Sequence, residues 1–289
     1  AHNALHRVSM RDACTAPLKH KHVFSHDLRQ DEGKAKNQAT TGFCWIFAGL
    51  GVLRQALCKS LNMQIKNLQL SVAYVAFFDK VERANKFMDT ILTINDERMR
   101  DYMLGTHLME DGGSWDMFQN IIAKYGIVPD HEMPLTKQLE NTKSMNSALR
   151  SVLRRFYVSV CRGEDASVCR DQASVYIFRI LHACIGKPPD NCIHLKWRDS
   201  EKVYQTLETS PLDLVSKTNM STPYTVLVHF PCHPLHKIYT VSHQTNISGT
   251  AGPRYYNVPC DVMKKVAESM IKQGVPVWFV CDMNDLRDL

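Results

Sequence analysis

The pattern of hydrophobic and polar positions changes in character about two thirds of the way along the chain. Before that point, apolar residues recur every three or four positions, which is typical of helices that bury one face. One segment, from Cys44 to about Leu57, is apolar nearly all round and is expected to form a fully buried helix. The same pattern predicts further helices over residues 71–92, 114–125, 137–162 and 166–185.

Three residues indicate where two of these helices begin and end. Ser71 and Ser114 stand directly before helical patterns, where a hydroxyl oxygen can accept a hydrogen bond from a free backbone N–H group. Gly126 follows the second of these patterns and favours the left-handed conformation that ends many helices. We therefore expect Ser71 and Ser114 to be N-caps and Gly126 to stop the helix before it.

Shorter segments of β type appear after residue 185. The sequence predicts strands over 193–197, 224–230, 237–242 and 275–281, a short helix opened by Ser210-Pro211, and an amphipathic helix over 261–273. The last strand is apolar and is followed by only eight residues. Because an apolar strand needs neighbours to cover it, we expect this sequence to stop partway through a fold.

Composition and charge narrow the class of protein. The chain has 289 residues, of which 44% are hydrophobic and 22% charged, and these are globular values that argue against disorder or a fibre. No run of about 18 apolar residues predicts a transmembrane helix. The formal charge of +6 permits an anionic partner without requiring one. The basic residues of 150–162 recur at helical spacing, so a solvated helix face is favoured over a nucleic-acid site.

The ten cysteines are scattered from Cys14 to Cys281. Such scatter in a chain with an ample core favours a reducing, cytoplasmic compartment over a secreted disulfide scaffold. Because no Cys-x-x-Cys pair is present, the spacing predicts no metal site. No motif predicts a cofactor.

The segment NQATTGFCW, residues 37–45, carries the strongest chemical signal. Cys44 is expected at the first turn of a buried helix, where the positive end of the helix dipole favours the thiolate. Gly42 allows a tight turn just before it. Gln38 stands six residues upstream, where its amide could join the backbone N–H of Cys44 as a second donor to an oxyanion. A lone cysteine before a helix is usually a buried small residue, but this combination favours a nucleophile.

Six segments in order resemble the bleomycin hydrolase and aminopeptidase C branch of the papain-like cysteine peptidases. The resemblance extends over about residues 20–283 and implies a papain-like α+β fold with a cysteine aminopeptidase activity. The segments are NQATTGFCWIFAGL, LSVAYVAFFDKVERANKF, DGGSWDMFQNIIAKYGIVP, IGKPPD, HKIYTVS and VPVWFVCDM.

This resemblance assigns roles to individual residues. It implies that Cys44 is the nucleophile and Gln38 the oxyanion donor, and that the backbone of Gly112-Gly113 holds substrate as an extended strand. Glycine suits that task because the two main chains must approach closely. A simpler interpretation, which is compatible with the first, is that the two glycines form a turn before the Ser114 N-cap. Phe43 departs from the branch, which commonly has arginine before the nucleophile.

The resemblance also implies a domain organisation. Residues 1–36 are an N-terminal lead-in, and 37–136 form the helical left domain of the papain-like fold, with the nucleophile at the start of its central helix. Residues 137–210 form a helical insertion typical of the branch. Residues 211–289 begin the β-rich right domain, most of which is absent from this chain.

A papain-like thiolate also needs an imidazole and a residue such as asparagine to orient it. In the resembled branch, both follow the segment VPVWFVCDM, so we expect them beyond this sequence. His182 and His194 fall at the spacing from Cys44 found in papain-type enzymes, but we interpret both as structural residues of the helical insertion. His233, His236 and His243 are interpreted as surface or packing residues.

Three hypotheses for function follow. The first is a cysteine aminopeptidase that acts on peptides, of which this chain is one portion. The second is a catalytically inactive structural subunit of a larger assembly, with Cys44 as a vestige. Nucleic-acid binding, which some members of the resembled family show, is the third and weakest. The resemblance implies a homo-oligomer, a ring of six subunits in that family, without a membrane partner.

Overall fold

The computed structural model describes residues 23–28, 36–105, 108–218, 224–241 and 244–280. Most of the predicted lead-in lies outside these ranges. Two short 3₁₀ helices cover Ile65–Asn67 and Lys137–Glu140. The α-helices are α1 (Cys44–Ser60), α2 (Val72–Thr90), α3 (Glu97–Leu104), α4 (Trp115–Tyr125), α5 (Lys143–Cys161), α6 (Ala166–Cys184), α7 (Pro211–Ser216) and α8 (Cys260–Lys272).

The predicted caps are confirmed. The Ser71 hydroxyl accepts from the backbone N–H of Tyr74 at 3.0 Å and starts α2. The Ser114 hydroxyl accepts from the N–H of Met117 at 3.4 Å and starts α4. Gly126 ends α4 with a φ of +80°. A Cβ there would lie 2.2 Å from the Pro211 carbonyl, so the position requires glycine for its conformation and for the close approach.

Helices α1, α2 and α4 form the centre of the core. Leu53 of α1, Phe77 of α2 and Phe118 of α4 are fully buried. Gly49 lets α1 approach α4, because a Cβ at that position would lie 2.7 Å from the Phe118 ring. Helices α5 and α6 pack against each other and against α2. The helices therefore share one continuous apolar core. The first residue of this core along the chain is Phe43, directly before Cys44.

The strands form two small sheets. Strand β1 (Ile193–Arg198) pairs antiparallel with β2 (Tyr204–Thr209). The second sheet has the order β3-β5-β4, in which β3 (Val226–Val228) runs parallel to β5 (Tyr255–Asn257) and β4 (Ile238–Tyr239) runs antiparallel to β5. Among the described elements, the first six α-helices precede every strand along the chain, and only the short α7 and the C-terminal α8 follow β2, which agrees with the predicted α+β class.

Several predicted boundaries are wrong. The expected strand over 275–281 is not formed at 275–280, where Phe279 and Val280 are 73% and 74% exposed. A strand needs a hydrogen-bonded neighbour, and no described segment pairs with this one. The strands expected over 224–230 and 237–242 shrink to β3 and β4 because β5 offers each a partner for only two or three residues.

Other elements differ at their ends or were missed. The helix predicted over 137–162 is a 3₁₀ turn followed by α5, because Asn141 between them is extended. Helix α3, capped by the Asp96 carboxylate, and strands β2 and β5 were not predicted. No helix in the described ranges is both long and apolar enough to cross a membrane.

Candidate active site

Cys44 is the first residue of α1 and its side chain is exposed. The residues on either side are buried, with Phe43 1% and Trp45 2% exposed. No described side chain caps the helix, and within the described residues the backbone N–H of Cys44 has no hydrogen-bond acceptor. The thiol sulfur lies 4.0 Å from the Gly42 carbonyl oxygen. An accessible sulfur therefore sits at the positive end of a helix whose first N–H groups remain available.

Gln38 lies in the turn that leads into α1. Its carbonyl oxygen accepts from the Thr41 hydroxyl at 2.8 Å, and Ala39 adopts a left-handed φ of +55°. The hydroxyl of Thr40 fixes the turn to the Glu140 carbonyl at 2.8 Å. The Gln38 side chain is half-buried, and its Oε1 is buried without a hydrogen-bond partner among the residues that the structure describes. Hydrogen bonds to Thr41 and Glu140 hold the turn, whereas the placement of the Gln38 amide beside the Cys44 backbone N–H, as a second oxyanion donor, remains a prediction.

The predicted glycine pair lies beside the start of α1. A Cβ on Gly42 would lie 3.3 Å from the backbone nitrogen of Gly112, and one on Gly113 would lie 2.4 Å from the Trp45 indole. A Cβ on Gly112 would meet open space. Within the described residues, the backbone N–H and C=O of Gly113 have no hydrogen-bond partner. The structure therefore places Gly112 beside Gly42 and Gly113 beside Trp45, which flank Cys44 in the sequence, and leaves a backbone donor and acceptor of Gly113 unpaired within the described residues.

A buried lysine holds the chain just before the glycine pair. The ammonium of Lys80, on α2, is fully buried and donates to the carbonyl oxygens of Met109 at 2.9 Å and Glu110 at 3.0 Å. It also pairs with the Asp111 carboxylate at 2.8 Å. The Asp111 carbonyl accepts from the Trp45 indole N–H at 2.7 Å. One buried cation thus fixes three successive residues against the helix that carries Cys44.

The Asp111 carboxylate receives further donors. Asn146 donates to it at 2.9 Å, and the Thr142 hydroxyl donates to its other oxygen. Burial alone would raise the pKa of the Asp111 carboxyl, but the Lys80 charge and the hydrogen bonds outweigh burial and hold that pKa below its ordinary value. Asp111 is therefore ionised at neutral pH and compensates the charge of Lys80.

Phe43 has a defined place in this arrangement. Its ring is buried, and the Lys80 ammonium lies 5.6 Å from the ring centroid. A cation at that distance is attracted to the face of an aromatic ring. The resembled branch commonly has arginine at this position. In this chain the position holds the Phe43 ring, which lies against the buried Lys80 cation of α2.

A second chain of contacts holds the carbonyl of Gly112. Arg83 donates to that oxygen at 2.5 Å and pairs with the Asp79 carboxylate at 2.7 Å. Asn246 donates to the other oxygen of Asp79 at 2.9 Å and to the Met117 carbonyl at 3.0 Å. Asn246, near the end of the described chain, is thereby tied to the loop beside Cys44.

Sequence reasoning missed these supporting residues, although α2 carried a signal. Its amphipathic pattern is interrupted by Asp79, Lys80 and Glu82, all of which are buried. Charged residues are almost never fully buried unless they are paired. A charged run on the predicted inner face of a helix is therefore a reason to look for partners elsewhere in the chain.

The histidines at papain-type spacing do not reach Cys44. His182 is exposed on α6, and its ring stacks on Phe77 with centroids 5.6 Å apart. His194 is exposed on β1. No described histidine makes a hydrogen bond or ion pair with Cys44.

The three remaining candidate histidines belong to the late loops. His233 and His236 are exposed, the latter with a left-handed φ of +60°. His243 lies outside the described residues. Within the described ranges, the site therefore has an exposed thiol and unpaired backbone groups at Cys44 and Gly113, and no imidazole bonded to the thiol.

Comparison with known proteins identifies the family. The family described as the Peptidase C1-like family matches residues 1–288. The chain belongs to the Peptidase C1-like family. Bleomycin hydrolase of Homo sapiens is 33% identical over 284 residues, which cover 91% of this chain and 61% of that protein. Aminopeptidase C of Listeria monocytogenes is 33% identical over 279 residues, or 92% and 62%.

A solved structure supports the fold of this Peptidase C1-like chain. PepW from Lactobacillus rhamnosis HN001 superimposes with a TM-score of 0.78 at 29% identity, covering 88% of this chain and 59% of PepW. The expected resemblance to the bleomycin hydrolase and aminopeptidase C branch and the papain-like α+β fold are thus confirmed. The chain spans about three fifths of the length of the relatives that it matches.

Proposed function

We propose that this chain carries the nucleophile of a papain-like cysteine aminopeptidase. The observation that carries the proposal is the exposed Cys44 thiol at the uncapped start of α1, beside the unpaired backbone groups of Gly113. The names of the relatives, bleomycin hydrolase and aminopeptidase C, indicate amide and peptide bonds as the class of substrate.

Each group has one role in the proposed reaction. The Cys44 sulfur attacks the substrate carbonyl carbon, and the electron pair of the C=O bond moves to its oxygen. The backbone N–H of Cys44 and the amide of Gln38 donate to that oxyanion. The intermediate then collapses, the C–N bond breaks, and the amine leaves with a proton. Water hydrolyses the remaining thioester and regenerates the thiol.

The glycine pair binds the substrate main chain. An extended peptide would pair with the free N–H and C=O of Gly113, as a strand added to an edge. The open side of Gly112 leaves room for substrate side chains. Because Lys80 and Arg83 fix this loop, substrate binding requires little reordering of it.

No described histidine contacts Cys44. In this proposal, the imidazole that accepts and returns the proton therefore belongs to a residue outside the described ones. The relatives are longer than this chain, which is compatible with such a source. The alternative is an inactive structural subunit in which Cys44 has no base. Assembly with further copies, as in the resembled branch, belongs to the same proposal.

The relative reactivity of two thiols tests the proposal. Cys44 and Cys161 are both exposed, but Cys44 is the first residue of α1 and Cys161 the last residue of α5. The full chain is treated with a limiting amount of a peptidyl chloromethyl ketone that has a free amino terminus, and the labelled sites are mapped by mass spectrometry. We expect Cys44 to react at least tenfold faster than Cys161.

Variants separate the contributions. In a longer chain that includes the downstream sequence, Gln38→Ala should lower the hydrolysis of aminoacyl amides by about 10²–10³-fold, as the loss of an oxyanion donor does, and Cys161→Ser should leave it unchanged. Equal labelling of Cys44 and Cys161 would overturn the nucleophile assignment. Selective labelling of Cys44 without any turnover, in this chain and in a longer one that includes downstream sequence, would favour the structural subunit.

A further inference from the structure

Three side chains with metal-binding atoms meet on the exposed face of the β1–β2 ribbon. Cys192 directly precedes β1, and His194 is its second residue. Residues two apart on a strand project from the same face. Glu208 of β2 is the antiparallel partner of His194. Ile193 and Leu195, which alternate with these residues, are buried, so the ribbon fixes the three polar side chains on its outer face.

The distances between these side-chain atoms approach the distances between atoms that bind one metal ion. The Cys192 sulfur lies 3.8 Å from the His194 Nε2 and 3.2 Å from the Glu208 Oε1. The His194 Nδ1 lies 3.9 Å from the other oxygen of Glu208. A tetrahedral zinc ion with bonds of about 2.0–2.3 Å separates its ligand atoms by about 3.3–3.6 Å. One ligand atom of each residue lies within 4.8 Å of the other two, and rotation of these exposed side chains brings the three atoms to that spacing.

The donor set selects a class of ion. A thiolate and an imidazole favour zinc and similar transition metals over magnesium and calcium, which prefer oxygen ligands alone. One thiolate and one carboxylate also neutralise the charge of a divalent ion. In the described part of the chain, this is the only group of three such side chains.

We propose that Cys192, His194 and Glu208 bind a zinc-class divalent cation on the surface of the β1–β2 ribbon. Binding replaces the S–H bond of Cys192 with a metal–sulfur bond and releases the proton to solvent. The imidazole of His194 binds in its neutral form and the carboxylate of Glu208 through one oxygen. Water fills the fourth position, as at metal sites with three protein ligands. The ion joins the two strands at the end of the ribbon where β1 starts.

The spacing of cysteines could not indicate this site. Cys192 belongs to no Cys-x-x-Cys pair, and Glu208 is 16 residues away in the sequence. The three atoms converge only because β1 and β2 pair in a register that sets His194 opposite Glu208. The proposal is independent of Cys44 and stands whether or not the chain is a peptidase.

Cobalt(II) reports directly on the ligands. The full reduced chain is titrated with Co²⁺ alone, and the thiolate-to-cobalt charge-transfer absorption in the near ultraviolet is measured. We expect one equivalent to bind at micromolar concentration and Zn²⁺ to displace it. Cys192→Ser should abolish the charge-transfer band, and His194→Ala and Glu208→Gln should each weaken binding at least about tenfold.

Cys161→Ser is the matched control, because Cys161 is also exposed and has no place in the cluster; it should leave the band unchanged. All three ligands are exposed, so far-ultraviolet circular dichroism should show each variant folded. Absence of a thiolate band, its persistence in Cys192→Ser, or unchanged affinity in both His194→Ala and Glu208→Gln would overturn the proposal.

Discussion

The region around Cys44 and the region from residue 224 to 280 are stabilised in different ways. In the first, fully buried side chains from α1, α2 and α4 share one core, and the buried charges Lys80 and Asp79 have partners at 2.7–2.8 Å. In the second, α8 has no buried residue and the strands are two or three residues long. Candidate catalytic groups thus lie on the more deeply buried and better paired part, as precise positioning demands.

The second region is organised mainly by one polar side chain. Asn257, at the end of β5, is fully buried and its amide donates to the carbonyl oxygens of Phe230, His233 and Pro234 at 3.0–3.1 Å. Its Oδ1 accepts from the backbone N–H of Phe230 at 2.8 Å. Hydrogen bonds hold the loops of this region together, whereas apolar burial holds the region around Cys44 together. Such a region opens locally at lower free energy than a packed core.

The largest predicted effect tests whether the first region depends on its buried ion pair. Asp111→Asn keeps the shape of the side chain but removes the carboxylate that pairs with the fully buried Lys80. Breaking a buried pair in this way costs about 3–5 kcal/mol of unfolding free energy. Denaturant unfolding of the full chain, followed by tryptophan fluorescence, measures the loss.

The matched control lies in the second region. Asp261 of α8 also faces a lysine, Lys264, at 3.9 Å, but its side chain is 85% exposed, so Asp261→Asn should change the unfolding free energy by less than about 1 kcal/mol. If Asp111→Asn were equally mild, the buried pair would not distinguish the two regions.

Lowering the pH should remove the contribution of the Lys80–Asp111 pair to stability. Because folding lowers the pKa of Asp111, its contribution to stability is complete above the pKa of an unfolded aspartate, about 3.9. The contribution is lost as the pH falls through the lower value of the folded state. The difference in stability between wild type and Asp111→Asn should therefore be constant near neutral pH and shrink below about pH 4.

An intermediate effect is expected at the glycine pair. Alanine at Gly113 would place its Cβ 2.4 Å from the Trp45 indole, whereas alanine at Gly112 would meet open space. Overpacking of this kind costs about 1–3 kcal/mol. Gly113→Ala should lose that much stability and slow the labelling of Cys44, and Gly112→Ala should stay within about 0.5 kcal/mol of wild type. Equal behaviour of the two variants would contradict the close contact between Gly113 and Trp45.

The sequence predicted the first region better than the second. Helices α1, α2 and α4 follow from apolar spacing and from Ser71, Ser114 and Gly126, all of which act within a few residues of chain. Strand pairing depends on segments far apart, such as β3 with β5. The missed β5 and the unformed strand over 275–280 are both failures of this kind.

The residues of the candidate site also differ in whether the sequence could predict them. The position of Cys44 at the start of α1 could be predicted because a helix start is a local property. The contacts of Lys80 with residues 109–111 could not, since they span about 30 residues and depend on how α2 packs. The cross-strand meeting of Cys192 and Glu208 needed the β1–β2 register for the same reason.

A small effect is predicted on α8, whose amphipathic pattern predicts a buried face. Val266 is nevertheless 40% exposed, whereas Val75 of α2 is fully buried. Val75→Ala should cost about 1.5–3 kcal/mol of unfolding free energy, and Val266→Ala less than about 0.5 kcal/mol. The same two methyl groups are removed in both, so the ratio isolates burial. Comparable losses would mean that the apolar face of α8 is covered in solution, and the contrast between the two regions would fail.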